Sequence, residues 1–206
     1  MNNALPMTVK AVMIDLDGTL LDTIPDLAAA ANMMRVEIGK APLEEDLIRT
    51  FVGKGITNLV ERTLAGNMAG IIDPELRERG LEVYERCYTQ MNGRHTTIYP
   101  GVVEGLVEMQ AQGFALACVT NKSERFTLPL LDMVGLAPYF KHVVSGDTLP
   151  RKKPDPDPLL YACGKLNVEP HEMLMVGDSL NDTIAARAAG CPVFCVTYGY
   201  NEGRDV

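Results

Sequence analysis

Two aspartates one residue apart carry the clearest chemistry in the chain: Asp15 and Asp17, in the run Ile14-Asp15-Leu16-Asp17-Gly18-Thr19-Leu20. They close an apolar stretch, and positions i and i+2 of a strand face the same side, so both carboxylates can address one point. Carboxylates that close repel each other unless a cation sits nearby or one keeps a proton. Either state is useful. An ionised Asp15 can attack phosphorus, and a protonated Asp17 can donate to a leaving oxygen. The alternative, an Asp-Gly turn after a solvated Asp, leaves unexplained why Asp15 interrupts an apolar run.

Three further clusters each follow an apolar run. Thr120-Asn121-Lys122 offers a hydroxyl and backbone N–H groups, the makings of a phosphate cradle at a strand-to-helix turn. Taken alone, it reads equally as a loop leading to a helix cap at Ser123. Arg151-Lys152-Lys153-Pro154-Asp155-Pro156 is the basic run of an acidic chain, stiffened by its prolines. Lys153 there can neutralise a nucleophilic carboxylate and a bound phosphate together, although in isolation the run suits a solvated loop or a partner patch. Gly177-Asp178-Ser179-Leu180-Asn181-Asp182 supplies acidic oxygens of the kind Mg²⁺ prefers. Complementing a helix dipole explains Asp182 but not Asp178. Together the four clusters offer nucleophile, acid, hydroxyl, lysine and metal carboxylates, which is the set phosphoryl transfer asks for.

The elements that must position these groups follow from apolar patterning. Val9 to Leu16, Phe114 to Val119, His142 to Ser145, Met173 to Val176 and Pro192 to Thr197 are short continuous apolar runs, expected as buried strands. Between them, helices are expected at Val102 to Gln112, Glu124 to Met133 with a bend at Pro129, Pro158 to Leu166, and Asp182 to Ala189 up to Gly190. Strand–helix alternation with such strands indicates a parallel sheet covered on both faces, whose chemistry gathers beyond the strands' carboxyl ends. Pro25 to Ile38, Leu43 to Phe51, Ile56 to Leu64 and Pro74 to Met91 read as helices with no convincing strand among them. The expected organisation is therefore a discontinuous core of residues 1–21 and 95–206, interrupted by a helical insertion at 22–94.

Composition narrows the partners. The chain has 206 residues, 19 Lys+Arg against 27 Asp+Glu, and a net charge of -8. That balance disfavours nucleic acid and anionic membranes, so an anionic substrate needs a local positive site. The cysteines, Cys87, Cys118, Cys163, Cys191 and Cys195, are odd in number and form no Cys-x-x-Cys. Free thiols in a reducing compartment are expected. Met1 to Lys10 lacks the features of a signal peptide, and no apolar run reaches the roughly 18 to 20 residues of a membrane span. A soluble cytoplasmic protein, monomer or homodimer, is expected. His95, His142 and His171 are scattered, and the methionines suit core filling.

At this point the chain resembles the haloacid-dehalogenase-like hydrolases, over nearly its whole length. The resemblance rests on Asp-Leu-Asp-Gly-Thr-Leu at 15–20, Val-Thr-Asn-Lys at 119–122, Lys-Lys-Pro-Asp-Pro at 152–156 and Gly-Asp-Ser-Leu-Asn-Asp at 177–182. Tyr-Pro-Gly-Val at 99–102 and Thr-Tyr-Gly-Tyr-Asn at 197–201 look like the branch that hydrolyses 2-phosphoglycolate. The resemblance implies a doubly wound, Rossmann-like α/β core with an α-helical cap, and Mg²⁺-dependent phosphatase activity on a small phosphorylated metabolite. Asp15 would form an aspartyl-phosphate, while Asp17 would protonate the leaving alkoxide and then activate water. Thr120 and Lys153 would hold phosphoryl oxygens, with Asn121 beside them. The metal would be bound by the Asp15 side chain, the Asp17 backbone carbonyl and Asp178, with Asp182 in support. Asp17 also separates phosphatases from dehalogenases, whose halide leaving group needs no proton.

Two features depart from the family pattern. Lys54, in Val52-Gly53-Lys54-Gly55-Ile56, stands where relatives tend to carry an uncharged polar residue; it either reaches a substrate carboxylate or is a solvated loop lysine. The sequence also ends at Val206, where relatives continue through another strand and helix, so the strand at Pro192 to Thr197 is expected at a sheet edge. Other activities of the family, on sugar phosphates, as a mutase or on phosphoanhydrides, and a non-catalytic metal-binding protein are the competing expectations.

Overall fold

The computed structural model describes residues 8–203. Most of the N-terminal segment read for targeting signals, and the chain end at Val206, lie outside the described residues. The chain orders itself as β1 (Ala11–Ile14), β2 (Leu21–Asp22), α1 (Ile24–Glu37), α2 (Glu45–Arg49), α3 (Ile56–Ala65), α4 (Pro74–Met91) and β3 (Thr97–Ile98). It continues with α5 (Val102–Ala111), β4 (Ala115–Val119), α6 (Glu124–Met133), β5 (His142–Val144), α7 (Asp157–Leu166), β6 (Met173–Gly177), α8 (Leu180–Ala189) and β7 (Val193–Cys195).

Five strands form one parallel sheet in the order β5-β4-β1-β6-β7. Its strands are apolar on both faces because both are covered. Met13, Ala117, Val119 and Met175 face a cluster with Leu159 and Ala162 of α7 and Ala185 and Ala186 of α8. Val12, Ile14, Leu116 and Cys118 face Leu106 of α5 and Leu130 and Leu131 of α6. This alternation by residue parity is the period-two geometry of a strand, and the α/β reading of the sequence holds. Among the described residues β7 is an outer strand of this sheet, with Phe194 exposed.

Register sets the site. Ile14 lies level with Cys118 on one side and Val176 on the other, so β1, β4 and β6 finish side by side. The chain leaves β1 toward β4 and β5, then returns to the other side through β6. The order therefore reverses at β1, and ligand crevices form at such points.

Helices α1 to α4 share a second core, built on Met34, Phe51, Val60, Tyr84 and Tyr88 and closed by Phe126 of α6 and Tyr200. Two elements went unread in the sequence. β2 and β3 pair antiparallel across the neck of this helical layer, Leu21 with Ile98 and Asp22 with Thr97. Two-residue strands are too short to show a period. Asp26 braces the same neck: its buried carboxylate accepts from the N–H groups of Gly93, His95 and Thr96 and from the Thr96 hydroxyl. Among the other expected elements, α6 runs through Pro129 to Met133. The helix expected from Asp182 begins earlier, at Leu180, because Ser179 caps it and Asp182 answers from the third position as a capping box. No helix of the described residues is long and apolar enough to cross a membrane.

Candidate active site

Asp15 is the first residue beyond β1, tied to the sheet by its N–H to the Val176 carbonyl (2.9 Å). Lys153 Nζ lies 2.9 Å from Asp15 Oδ1 and 2.6 Å from Asp182 Oδ1, and donates to the Val119 carbonyl at 2.6 Å. An ammonium has three N–H groups; the Val119 carbonyl and Asp182 take two, and the third is left beside Asp15 for a ligand oxygen. Burial works to lower the Lys153 pKa, but the facing Asp15 and Asp182 outweigh it and push it up. Burial pushes the Asp15 carboxyl up to about 7, with Lys153 opposing and Asp182 adding to the rise. The contact from Lys153 to Asp15 Oδ1 is an ion pair without hydrogen-bond angles, so that oxygen keeps no hydrogen-bond donor.

Asp178, at the end of β6, is held on both oxygens. Thr19 donates to Oδ1 at 3.0 Å, and the Tyr200 N–H donates to Oδ2. Gly18 and Gly199 flank it so closely that a Cβ on either would stand 2.3 Å from Oδ2. Burial, then the charges of Asp15 and Asp182, push its pKa well up. Oxygens of Asp15, Asp178 and Asp182 lie within 4.8 Å of one another. Three crowded carboxylates, two of them pushed toward protonation and one with an undonated oxygen, match a hard divalent cation. Asp182 contributes differently from the other two. Its Oδ1 is taken by Lys153 and its Oδ2 by the N–H groups of Asp178 and Ser179 and the Ser179 hydroxyl.

Asp17 lies across the cavity floor from this cluster. Lys122 Nζ approaches its Oδ1 at 3.1 Å and Oδ2 at 3.4 Å, and donates to Tyr88 Oη of α4 at 2.5 Å. The same ammonium stands 4.8 Å from the Tyr88 ring centroid. Burial, then the Asp17 charge, holds the Tyr88 phenol well above its ordinary pKa, so it stays neutral. Thr120 begins the loop after β4, and its hydroxyl accepts from the Lys122 N–H at 3.2 Å while its own proton is free to donate. Ser123 occupies the cap of α6 without a side-chain bond; Asp147 accepts from the Glu124 N–H instead.

These groups floor a cavity roofed by the helical layer. Asp15, Asp17, Thr120 and Lys122 line its base, and Leu27, Ile56 and Leu59 its apolar roof. Asn121 Nδ2 donates to the Gly53 carbonyl (3.0 Å) and the Lys153 carbonyl (2.8 Å), and Asn181 Nδ2 reaches the same Gly53 carbonyl at 3.3 Å. The loop after β4 and the first turn of α8 thus grip one loop of the roof. Lys54, next along that loop, turns away from the cavity. Its ammonium pairs with Glu202 at 2.9 Å, and Glu202 also takes Arg62 at 2.8 Å.

The structure therefore gathers Asp15, Asp17, Thr120, Asn121, Lys153, Asp178 and Asp182 beyond one end of the sheet, and leaves Lys54 outside. Sequence reasoning gave no role to Thr19, Lys122 and Tyr200, although all three fall inside the motifs it singled out. Tyr88 carried no signal, since an aromatic on an amphipathic helix looks like core.

A sheet that reverses at β1, with an aspartate pair, a buried lysine and an acidic cluster at its strand ends, defines a class of hydrolase. The family model for haloacid dehalogenase-like hydrolases matches residues 12–196, and the chain belongs to that family. The phosphoglycolate phosphatase of Nitrosospira multiformis is 61% identical over 201 residues, which are 98% of this chain and 88% of that protein. That of Thiobacillus denitrificans is 53% identical, with the same coverage. The crystal structure of a predicted phosphoglycolate phosphatase from Haemophilus somnus superposes with a TM-score of 0.90 at 34% identity, covering 96% of this chain and 89% of that one.

Proposed function

We propose that this chain is a Mg²⁺-dependent phosphatase that hydrolyses 2-phosphoglycolate to glycolate and phosphate through an aspartyl-phosphate on Asp15. The observation that carries the chemistry is Asp15 itself: a carboxylate ion-paired to Lys153, beside Asp178 and facing the cavity that also holds Asp17. The substrate is supported by relatives up to 61% identical that bear the name phosphoglycolate phosphatase.

Asp15 and Asp178 would hold the metal through side chains, and Asp17 through its backbone carbonyl. Asp182 orients Lys153 and the turn that carries Asp178. When bound, Mg²⁺ neutralises the phosphoryl oxygens and keeps Asp15 ionised. Asp15 attacks phosphorus, the bond to the ester oxygen breaks, and Asp17 gives its proton to the departing glycolate. Asp17 then takes a proton from water, which attacks the same phosphorus and frees Asp15 and phosphate. The Thr120 hydroxyl and Lys153 hold phosphoryl oxygens through both steps. Residues 22–94 act as a cap whose apolar roof excludes bulk water. The free state of all five cysteines supports work in a reducing cytoplasm.

The test is phosphate release from a panel of small phosphate esters, with and without Mg²⁺, for wild type and Asp15→Asn. Phosphoglycolate should be the best substrate, and Asp15→Asn should lose on the order of 10⁴-fold or more in rate. Failure of the wild type on every ester would overturn the enzymatic reading. A better rate on a sugar phosphate would overturn the substrate alone.

A further inference from the structure

The proposed substrate carries a second negative charge, and the cavity must meet it. Both acidic residues on the floor repel a carboxylate, and Leu27, Ile56 and Leu59 of the roof offer it nothing. Lys153 gives two N–H groups to Asp182 and the Val119 carbonyl, and its ammonium faces Asp15 and the phosphoryl group it holds there. Lys54 is turned onto Glu202. The cation among the residues lining the cavity is Lys122, whose side chain is 3% exposed.

Covalent geometry then places the charge. For proton transfer, the ester oxygen must come within hydrogen-bond reach of Asp17. In phosphoglycolate a single methylene separates that oxygen from the carboxyl group, so the carboxylate oxygens lie about 3 Å beyond it by ordinary bond lengths. The ammonium already resting on Asp17, 3.1 Å from Oδ1, is that of Lys122. Tyr88 takes one of its N–H groups and the forked contact to Asp17 another, which leaves a third for a ligand.

Resting on the phosphoglycolate reading above, we propose that Lys122 is the specificity-determining residue that receives the substrate carboxylate, and that Tyr88 is the positioning residue that holds its ammonium over the cavity. Selectivity is thereby shared between the core, which supplies the charge, and the helical layer, which aims it. The alignment is direct: the cation that reads the acid group of the substrate is the one that touches the proton donor.

Steady-state kinetics on 2-phosphoglycolate and on ethyl phosphate, which has the same chain without the carboxylate, separates this role from others. Lys122→Met should lose about 30- to 100-fold more in kcat/KM on phosphoglycolate than on ethyl phosphate, the worth of a charge-assisted contact. Lys122→Arg should recover part of the preference. Equal losses on both esters would show that Lys122 acts only through Asp17, and would overturn the proposal while leaving the phosphoglycolate reading intact. A wild type that prefers ethyl phosphate would overturn both. Should Lys122→Met fail to fold, Tyr88→Phe removes one oxygen and must shrink the same preference about threefold to fivefold, through KM. An unchanged preference in Tyr88→Phe overturns the proposal.

Discussion

The two halves of this molecule make their contributions to one cavity by different routes. In the sheet half, the register of β1, β4 and β6 brings Asp15, Thr120 and Asp178 together just beyond the strand ends, while Lys153 enters from the loop after β5 and Asp182 from the first turn of α8. In the helical half, nothing is fixed by register. The Gly53 carbonyl and the Tyr88 hydroxyl are brought to the cavity by helix packing and held there by side chains of the sheet half, Asn121, Asn181 and Lys122. The sheet half is thus a site built largely by topology, and the helical half a wall set by apolar packing and tied to it by a few polar contacts. A change at a strand end should strike the chemistry, and a change at the contacts should strike binding.

The largest expected effect tests the first part of that contrast. Asp17→Asn should slow hydrolysis of phosphoglycolate about 10²- to 10⁴-fold, the usual worth of a positioned acid–base, and slow an activated aryl phosphate far less. Equal loss on both would mean that Asp17 is not the proton donor.

Metal and pH probe the same half. The Asp15 carboxyl is pushed up to about 7 by burial, and Asp178 is raised in the same sense. A carboxyl raised on folding stabilises the fold fully below its ordinary value of 3.8, and that support is lost as pH rises through about 7. Metal-free protein should therefore melt lower at pH 8 than at pH 5 on account of these groups. Mg²⁺ at a hundred times its Kd should restore about 2.7 kcal/mol at pH 8 and less at pH 5, where protons compete for the same oxygens. Calorimetry with and without Mg²⁺ at both values checks this, and equal gains at the two would remove these carboxylates from the metal site.

For the helical half, Asn121→Ala removes the bonds to the Gly53 and Lys153 carbonyls. It should raise KM for phosphoglycolate about tenfold with a smaller change in kcat, since a lost partly buried hydrogen bond costs about 1–2 kcal/mol. A kcat loss without a KM change would erase the distinction between the halves. The smallest effect is expected far from either: Gly164, exposed within α7 with open space where a Cβ would go, should gain about 0.5–1 kcal/mol of stability as Ala, with kinetics unchanged.

The same contrast explains what could be read from the sequence. Asp15, Thr120, Lys153 and Asp178 were legible because each follows a continuous apolar run, and a parallel sheet obliges such runs to end together. Lys122 stood in plain view inside Val-Thr-Asn-Lys, but its partner Tyr88 is 34 residues away on another element, and no local pattern joins them. Lys54 illustrates the reverse: its glycine-flanked position leaves open a reach to a substrate carboxylate or a solvated loop lysine, and in the structure its ammonium pairs with the distant Glu202. Asp182 is expected at a helix start in support of the metal site, and its bonds to Ser179 and Lys153 make it a brace inside the first turn. β2, β3 and the Asp26 brace escaped because the signals of a neck are pairings, not periods.

Gly18 and Gly199, pressed to either side of Asp178, leave no room for any other residue. For directed evolution this divides the chain into frozen and free sequence. A library that randomises the slot around Asp178 will return mostly inactive clones, because even a single methyl group there collides with the carboxylate. One that holds the slot constant and varies Leu27, Ile56 and Leu59 explores new leaving groups without touching the step that breaks the phosphate bond.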